Sequence, residues 1–164
     1  MKTLFYNAIL LLFMFIAFYG TAQDQKLYSF SLKQTDQFLT YNQGTLVMAD
    51  THTGTNKIAQ CFIVKRLDNG KTLIGAAAKP GLFLKREASN IVLVPYSVGD
   101  TSFEWYLNYS GYPYTSLMQP GTDNALGWQG GGFNMLSVSP GLSTNNDAAG
   151  DTYRFEISTV TTTF

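Results

Sequence analysis

From Leu27 onward the chain has few stretches in which apolar residues return every three or four positions. Short runs rich in Val, Ile, Thr, Phe, Tyr and Trp recur instead, with clusters of Gly, Asn, Asp, Ser and Pro between them. An extended backbone that alternates its side chains between two faces produces this pattern, and the polar clusters mark where it turns. The pattern predicts twelve strands: Leu27–Lys33, Gln37–Tyr41, Thr45–Ala49, Cys61–Arg66, Thr72–Ala76, Leu82–Arg86, Ile91–Tyr96, Phe103–Leu107, Tyr114–Met118, Ala125–Trp128, Phe133–Val138 and Tyr153–Ser158. No segment reads as a convincing helix. Short strands at this density point to a sandwich or a barrel.

Internal repetition narrows the choice. A Phe-x-apolar motif occurs as Phe62-Ile63-Val64, Phe103-Glu104-Trp105 and Phe155-Glu156-Ile157, at spacings of 41 and 52 residues. A second series precedes it, Phe38-Leu39, Phe83-Leu84 and Ala125-Leu126. A third lies between the two, in Leu46-Val47-Met48, Val92-Leu93-Val94 and Met135-Leu136. Each repeat then holds four strands in one order. The segment Ser139–Asp151 has no strand signal, reads as an exposed loop, and accounts for the longer last spacing. Asp68-Asn69-Gly70 reads as a tight turn with Asn-Gly supplying positive φ, and Tyr109–Pro113 as the equivalent connection one repeat later.

This threefold pattern resembles the β-trefoil superfamily, which includes ricin B-type lectins, cytokines and Kunitz-type inhibitors. The resemblance covers nearly all of residues 23–164 and implies a single all-β domain there, a β-trefoil of three four-strand repeats. It also implies that one aromatic from each repeat fills a barrel near the threefold axis. Ricin-type repeats end in Gln-x-Trp. Here Gln60-Cys61-Phe62 keeps the Gln with Phe for Trp, while the other repeats read Thr101-Ser102-Phe103 and Tyr153-Arg154-Phe155. Ricin-type sites also place a sugar-fixing Asp just after the start of the second strand. The matching positions carry Thr40-Tyr41, Lys85-Arg86 and Trp128-Gln129, so that Asp is missing from all three. The disulfides common in the ricin-type family are absent too.

Compartment and charge restrict function further. Lys2, the apolar run Ala8–Phe18 and Gly20-Thr21-Ala22 match the three regions of a secretory signal peptide, with cleavage expected after Ala22. Eleven uninterrupted apolar residues are short of the roughly 20 a spanning helix needs. Export to the periplasm or beyond is therefore expected, without membrane association afterwards. Eleven basic residues balance eleven acidic ones, which disfavours a nucleic-acid face or a polybasic anchor. The single Cys61 excludes an internal disulfide framework and multi-cysteine zinc sites. The single His52, in Asp50-Thr51-His52-Thr53-Gly54, reads as a solvated loop residue rather than the base of a triad. Cys61 falls on the face opposite Phe62 and reads as a structural or idle thiol.

The carboxylates are scattered singly through turns, without the facing pair that glycoside hydrolysis uses. Gly130-Gly131-Gly132 lacks the Lys and the following helix of a phosphate-binding loop, and reads as a hairpin. Asp123/Asn124 and Asn145-Asn146-Asp147 offer oxygen ligands without the spacing of a calcium loop. No metal, cofactor or catalytic residue is expected. What remains is binding. Tyr106–Tyr114 and Asp123–Gln129 mix aromatic rings with amide and carboxylate groups, the combination that holds sugars. The candidate ligand-binding residues are Tyr109, Tyr112, Tyr114, Asp123, Asn124, Trp128 and Gln129. Without a bulge Leu126 and Trp128 share a face, so Trp128 also reads as core. The expected function is weak glycan binding by a monomeric secreted module. An extracellular or envelope protein, recognised through the loop at residues 139–151, is the alternative partner, and a structural secreted domain is the third possibility.

Overall fold

The computed structural model describes residues 26–88, 90–109, 113–129, 131–137 and 152–161. The expected signal peptide at residues 1–22 and the loop at 139–151 lie outside the described residues. The strands are β1 (Leu27–Leu32), β2 (Gln37–Asn42), β3 (Thr45–Asp50), β4 (Phe62–Arg66), β5 (Thr72–Ala76), β6 (Leu82–Glu87), β7 (Asn90–Pro95), β8 (Tyr106–Asn108), β9 (Ser116–Met118), β10 (Asn124–Gln129), β11 (Gly132–Ser137) and β12 (Phe155–Val160). Each predicted strand has a counterpart. Two short 3-10 segments, Gly54–Gln60 and Thr101–Phe103, were not expected. The second removes Phe103 from β8. The Asp100 carboxylate caps it by accepting from Ser102 N–H (3.0 Å) and Ser102 Oγ (2.6 Å), which favours a turn over an extended chain there. Tyr153 likewise precedes its strand.

Strand pairing closes a six-stranded barrel. β1 pairs with β4, β4 with β5, β8 with β9, and β12 with β1 along six residue pairs. Two antiparallel bridges complete the ring, Thr72 with Trp105 and Thr115 with Phe155. The other six strands form three hairpins, β2–β3, β6–β7 and β10–β11, each tied to the barrel by one bridge (Ser31–Phe38, Gly75–Phe83, Met118–Ala125). β3, β7 and β11 touch one another, so the hairpins gather into a cap over one end of the barrel. This is a β-trefoil-like arrangement of three four-strand repeats.

The register is threefold. Leu39, Leu84 and Leu126 are each fully buried and face Met48, Leu93 and Met135. Phe30, Ile74 and Leu117 fill the barrel at one level, and Phe62, Trp105 and Phe155 fill the next. Burying each such side chain contributes about 1.5–3 kcal/mol relative to exposing it. The bridges correct the repeat alignment made from sequence. Trp105, not Phe103, matches Phe62 and Phe155, at spacings of 43 and 50 residues. The Phe-x-apolar pattern slipped by two in the middle repeat, and two positions preserve strand parity, so Phe103 is buried as well.

The residues two places before these aromatics are Gln60, Phe103 and Tyr153, all buried. Gln60 works as a polar staple. Its Nε2 donates to Thr40 Oγ1 (3.1 Å) and Asp50 O (2.8 Å), while its Oε1 accepts from His52 N–H (2.9 Å). The middle repeat uses a different device. In the other two, a backbone N–H caps the carbonyl just before the buried aromatic (Ala77 to Cys61 O, 3.0 Å; Lys33 to Arg154 O, 2.8 Å). In the middle repeat Arg86 Nη1 donates to Glu104 O and its Nη2 to Thr101 O, with the guanidinium 5.1 Å from the Trp105 ring centroid. Burial pulls the Arg86 pKa down from its ordinary value, and Glu104 and Asp100 oppose that shift.

Candidate functional site

The hairpin register shows where the predicted site residues fall. β10 and β11 pair through six consecutive residues without a bulge, so Leu126 and Trp128 do share a face. Trp128 occupies the position of Tyr41 and Arg86 in the other hairpins. It is half-buried, packs against the core, and meets Phe133 edge-on with ring centroids 4.9 Å apart. The positions matching Thr40-Tyr41 and Lys85-Arg86 are therefore Gly127-Trp128, one residue earlier than the sequence alignment placed them. No Asp stands there in the corrected register either.

Internal contacts occupy all three ricin-type positions. Thr40 is buried and bonded to Gln60. Lys85 pairs with Asp100 (3.4 Å) and Glu87 (3.7 Å) and lies over the Phe103 ring. A Cβ at Gly127 would fall 2.2 Å from Leu136 Cδ1 and 3.2 Å from Thr152 O. The stretch Asp123–Gln129 is also not one site. Asn124 and Gln129 end a six-residue strand and lie roughly 17 Å apart. Gln129 is exposed at the hairpin end, and its carbonyl receives Asn134 Nδ2 at 3.5 Å.

The tyrosine stretch divides as well. Tyr114 is half-buried, with Lys33 Nζ 5.5 Å from its ring centroid. Tyr112 lies outside the described residues. Tyr109 is 59% exposed, and its neighbour Tyr106, not singled out from the sequence, is 49% exposed. Strand alternation in β8 explains the exposure of Tyr106, while Tyr109 lies just past the end of that strand. Leu107 turns inward to pack on the core, which puts Tyr106 on the outer face.

Tyr106 stands between two depressions. One, of about 460 Å³, is lined by Lys71, Tyr106, Asn108, Met118 and the turn at residues 119–123, so it includes Asp123. That turn is rigidly specified. Gln119 O accepts from Thr122 N–H (3.3 Å) and Oγ1 (3.2 Å), Pro120 sets one central φ, and Gly121 supplies the positive φ of +75° that the other requires. Thr122 Oγ1 accepts from Asn124 N–H (3.2 Å), and Asn124 O from Gln119 N–H (2.8 Å). This leaves Asp123 exposed at the rim while Asn124 is held in the backbone of the turn. Lys71 Nζ sits 5.7 Å from the Tyr106 ring centroid.

The second depression, of about 360 Å³, lies at the barrel end remote from the hairpin cap. Tyr28, Val64 and Leu107 are packed against the core beneath it, and Arg66, Thr72, Tyr106 and Tyr109 surround it. Gly70 closes one side with φ +77°; it carries the positive φ of the predicted Asp68-Asn69-Gly70 turn without Asn69 joining it. The junctions of barrel and hairpin differ between the second and third repeats. Between β5 and β6 the Phe83 ring lies over Gly75, where a Cβ would meet Phe83 Cε1 at 3.0 Å. The matching place on β9–β10 is Met118 opposite Ala125, and both are buried together with Tyr153.

The two reactive side chains are held internally. Cys61 is 1% exposed, its Sγ–H donates to Lys57 O (3.3 Å), and burial raises its pKa against the lowering effect of Lys57. His52 is half-buried rather than fully solvated, with Nδ1 3.3 Å from Asn56 O. No cluster of three or more His, Cys, Asp or Glu able to hold a metal occurs among the described residues.

No family model and no curated protein matches the chain. Solved structures do. An endo-β-galactosidase from Clostridium perfringens that releases GlcNAcα1-4Gal aligns with a TM-score of 0.67 at 17% identity, over 83% of this chain and 33% of that one. ThreeFoil, a designed 3-fold symmetric protein, aligns with a TM-score of 0.61 at 18% identity, over 80% of this chain and 96% of that one. The C-half of an earthworm R-type lectin, in complex with GalNAc, aligns at 0.59 and 12% identity, over 82% and 99%. The chain thus spans about a third of the enzyme and nearly the whole of the lectin half and the designed trefoil. At these identities the likeness is one of fold, and it fixes that fold as β-trefoil-like.

Proposed function

We propose that this chain is an exported, non-catalytic carbohydrate-binding module whose sugar platform is formed by Tyr106 and Tyr109. The observation that carries the reading is their exposure, 49% and 59%, on a rigid barrel beside two depressions. Together with Val98 they are the exposed large hydrophobic side chains among the described residues. A tyrosine ring offers an apolar face to the C–H side of a pyranose, and the polar groups around it bond the hydroxyls. Asn108, Gln119 and Asp123 stand in that relation to Tyr106. Among the described residues Asp123 is the one carboxylate lining either depression, whereas glycoside hydrolysis uses two, which supports binding over cleavage. The fold likeness to a lectin half bound to GalNAc and to part of a glycan-cleaving enzyme adds support at the level of class.

A glycan array with wild type, Tyr106→Ala and Tyr109→Ala tests the reading. Wild type is expected to bind a defined set of glycans, with each substitution weakening the signal. Absence of any glycan signal at high protein concentration, or full retention by both variants, overturns it.

A further inference from the structure

The depression at the barrel mouth carries a charge signature that its neighbour lacks. Among the described residues Arg66 is its one charged lining residue, and no carboxylate lines it. The other depression balances Lys71 against Asp123. Arg66 is exposed at the end of β4, where its backbone pairs with Thr72. It has no ion pair or hydrogen bond from its side chain among the described residues. The cation of the neighbouring depression, Lys71, lies against Tyr106. Around the barrel, the positions equivalent to Arg66 are Tyr109 and Thr159, so the mouth is asymmetric, with one guanidinium next to one exposed phenol.

Resting on the sugar-platform reading above, we propose that this depression receives the acidic group of a glycan, a carboxylate or a sulfate, and that Arg66 determines that specificity. A guanidinium presents a planar fork of N–H donors that matches the two oxygens of either anion, and its weak hydration makes it cheaper to desolvate than an ammonium. The apolar floor of Val64 and Leu107 reduces competing water beneath the fork. Tyr106 and Tyr109 then bracket the sugar ring that bears the acid. With the protein's overall charge near zero, this local charge sets the preference rather than a general field.

Titration calorimetry with three probes separates the outcomes: a neutral galacto-oligosaccharide, the same oligosaccharide carrying a sulfate, and one carrying a glucuronic acid. The proposal expects at least one acidic probe to bind about tenfold or more tightly than the neutral one. Arg66→Gln is expected to erase that preference while the neutral affinity changes less than about twofold, and Arg66→Lys to retain only part of it. The preferred acid, sulfate or carboxylate, identifies the source of the anion, and either one supports the proposal. Binding of neutral and acidic probes with equal affinity, or a preference that survives Arg66→Gln, overturns it and leaves the platform reading standing. Failure of every probe and of the whole array removes both. Arg66 is exposed, so the thermal midpoint of Arg66→Gln is expected to match wild type and keeps loss of binding distinct from loss of fold.

Discussion

Two stretches of this chain, Tyr106–Tyr109 and Asp123–Gln129, have similar mixtures of aromatic and polar residues, yet the fold uses them in opposite ways. Trp128 faces the same side as Leu126 and closes the hairpin cap against Phe133. Tyr106 faces away from Leu107 and stays at the surface. The difference comes from parity. Within a strand, an aromatic two residues from a core position is drawn inward with it, and one residue away it is pushed out. Composition marks both stretches as possible sites, and position along the strand decides which one remains available.

Substitutions can break this contrast at several strengths. Trp105→Ala, in the barrel's aromatic layer, is expected to cost about 3–5 kcal/mol, read as a lower urea midpoint. Arg86→Ala takes the donor from the Glu104 carbonyl, leaves Thr101 O with the Glu104 N–H alone, and removes the cover of the Trp105 ring. It is expected to cost about 1–3 kcal/mol in the same measurement, although its counterparts Tyr41 and Trp128 show that a cation is not required by the fold. The paired test of the contrast itself is Trp128→Ala against Tyr106→Ala. The first is expected to destabilise by about 1–3 kcal/mol and leave glycan binding intact, since Trp128 is half-buried packing. The second is expected to stay within about 0.5 kcal/mol of wild type and lose binding. A destabilised Tyr106→Ala with normal binding would reverse the assignment of roles.

The smallest effect concerns pH. The hydrogen bonds from Ser102 and, more weakly, the charge of Lys85 hold the Asp100 carboxyl below its ordinary pKa. A carboxyl whose pKa is depressed by folding stabilises above its unfolded pKa and loses that contribution as pH falls through the folded value. Thermal midpoints measured down through the carboxylate range should therefore drop slightly more for wild type than for Asp100→Asn.

The repeat was legible because its carriers are leucines and aromatics that tertiary contacts could hardly place anywhere but inside. Leu39, Leu84 and Leu126 were aligned from sequence and occupy equivalent places. The alignment of Phe103 failed for a physical reason. Two aromatics of equal parity, Phe103 and Trp105, both reach the interior, and only the bridge to Thr72 distinguishes the barrel layer from the residue before it. The same blindness to register placed Trp128-Gln129 where Gly127-Trp128 belongs. Of the candidate site, Tyr109 and Asp123 reach the two depressions, which Tyr106 joins. Arg66 and Lys71 could not be foreseen, because they come from β4 and its following turn, some 40 residues from Tyr106, and are brought near by the closure of the ring.

The pairing of β12 with β1 has a further consequence. Six residue pairs, Leu27–Val160 through Leu32–Phe155, join the first strand to the last across more than 120 positions of chain. During synthesis β1 emerges early and can meet β4 soon afterwards, but its other edge has no partner until β12 has been made. Until then the unfinished ring exposes an open strand edge and unfilled aromatic layers, the features that invite wrong pairing with other chains. Loop closure over that separation is entropically costly, so the last step of folding is slow compared with forming any one hairpin. A polypeptide built this way gains from being handled extended, and held apart from its neighbours, until its final strand is available.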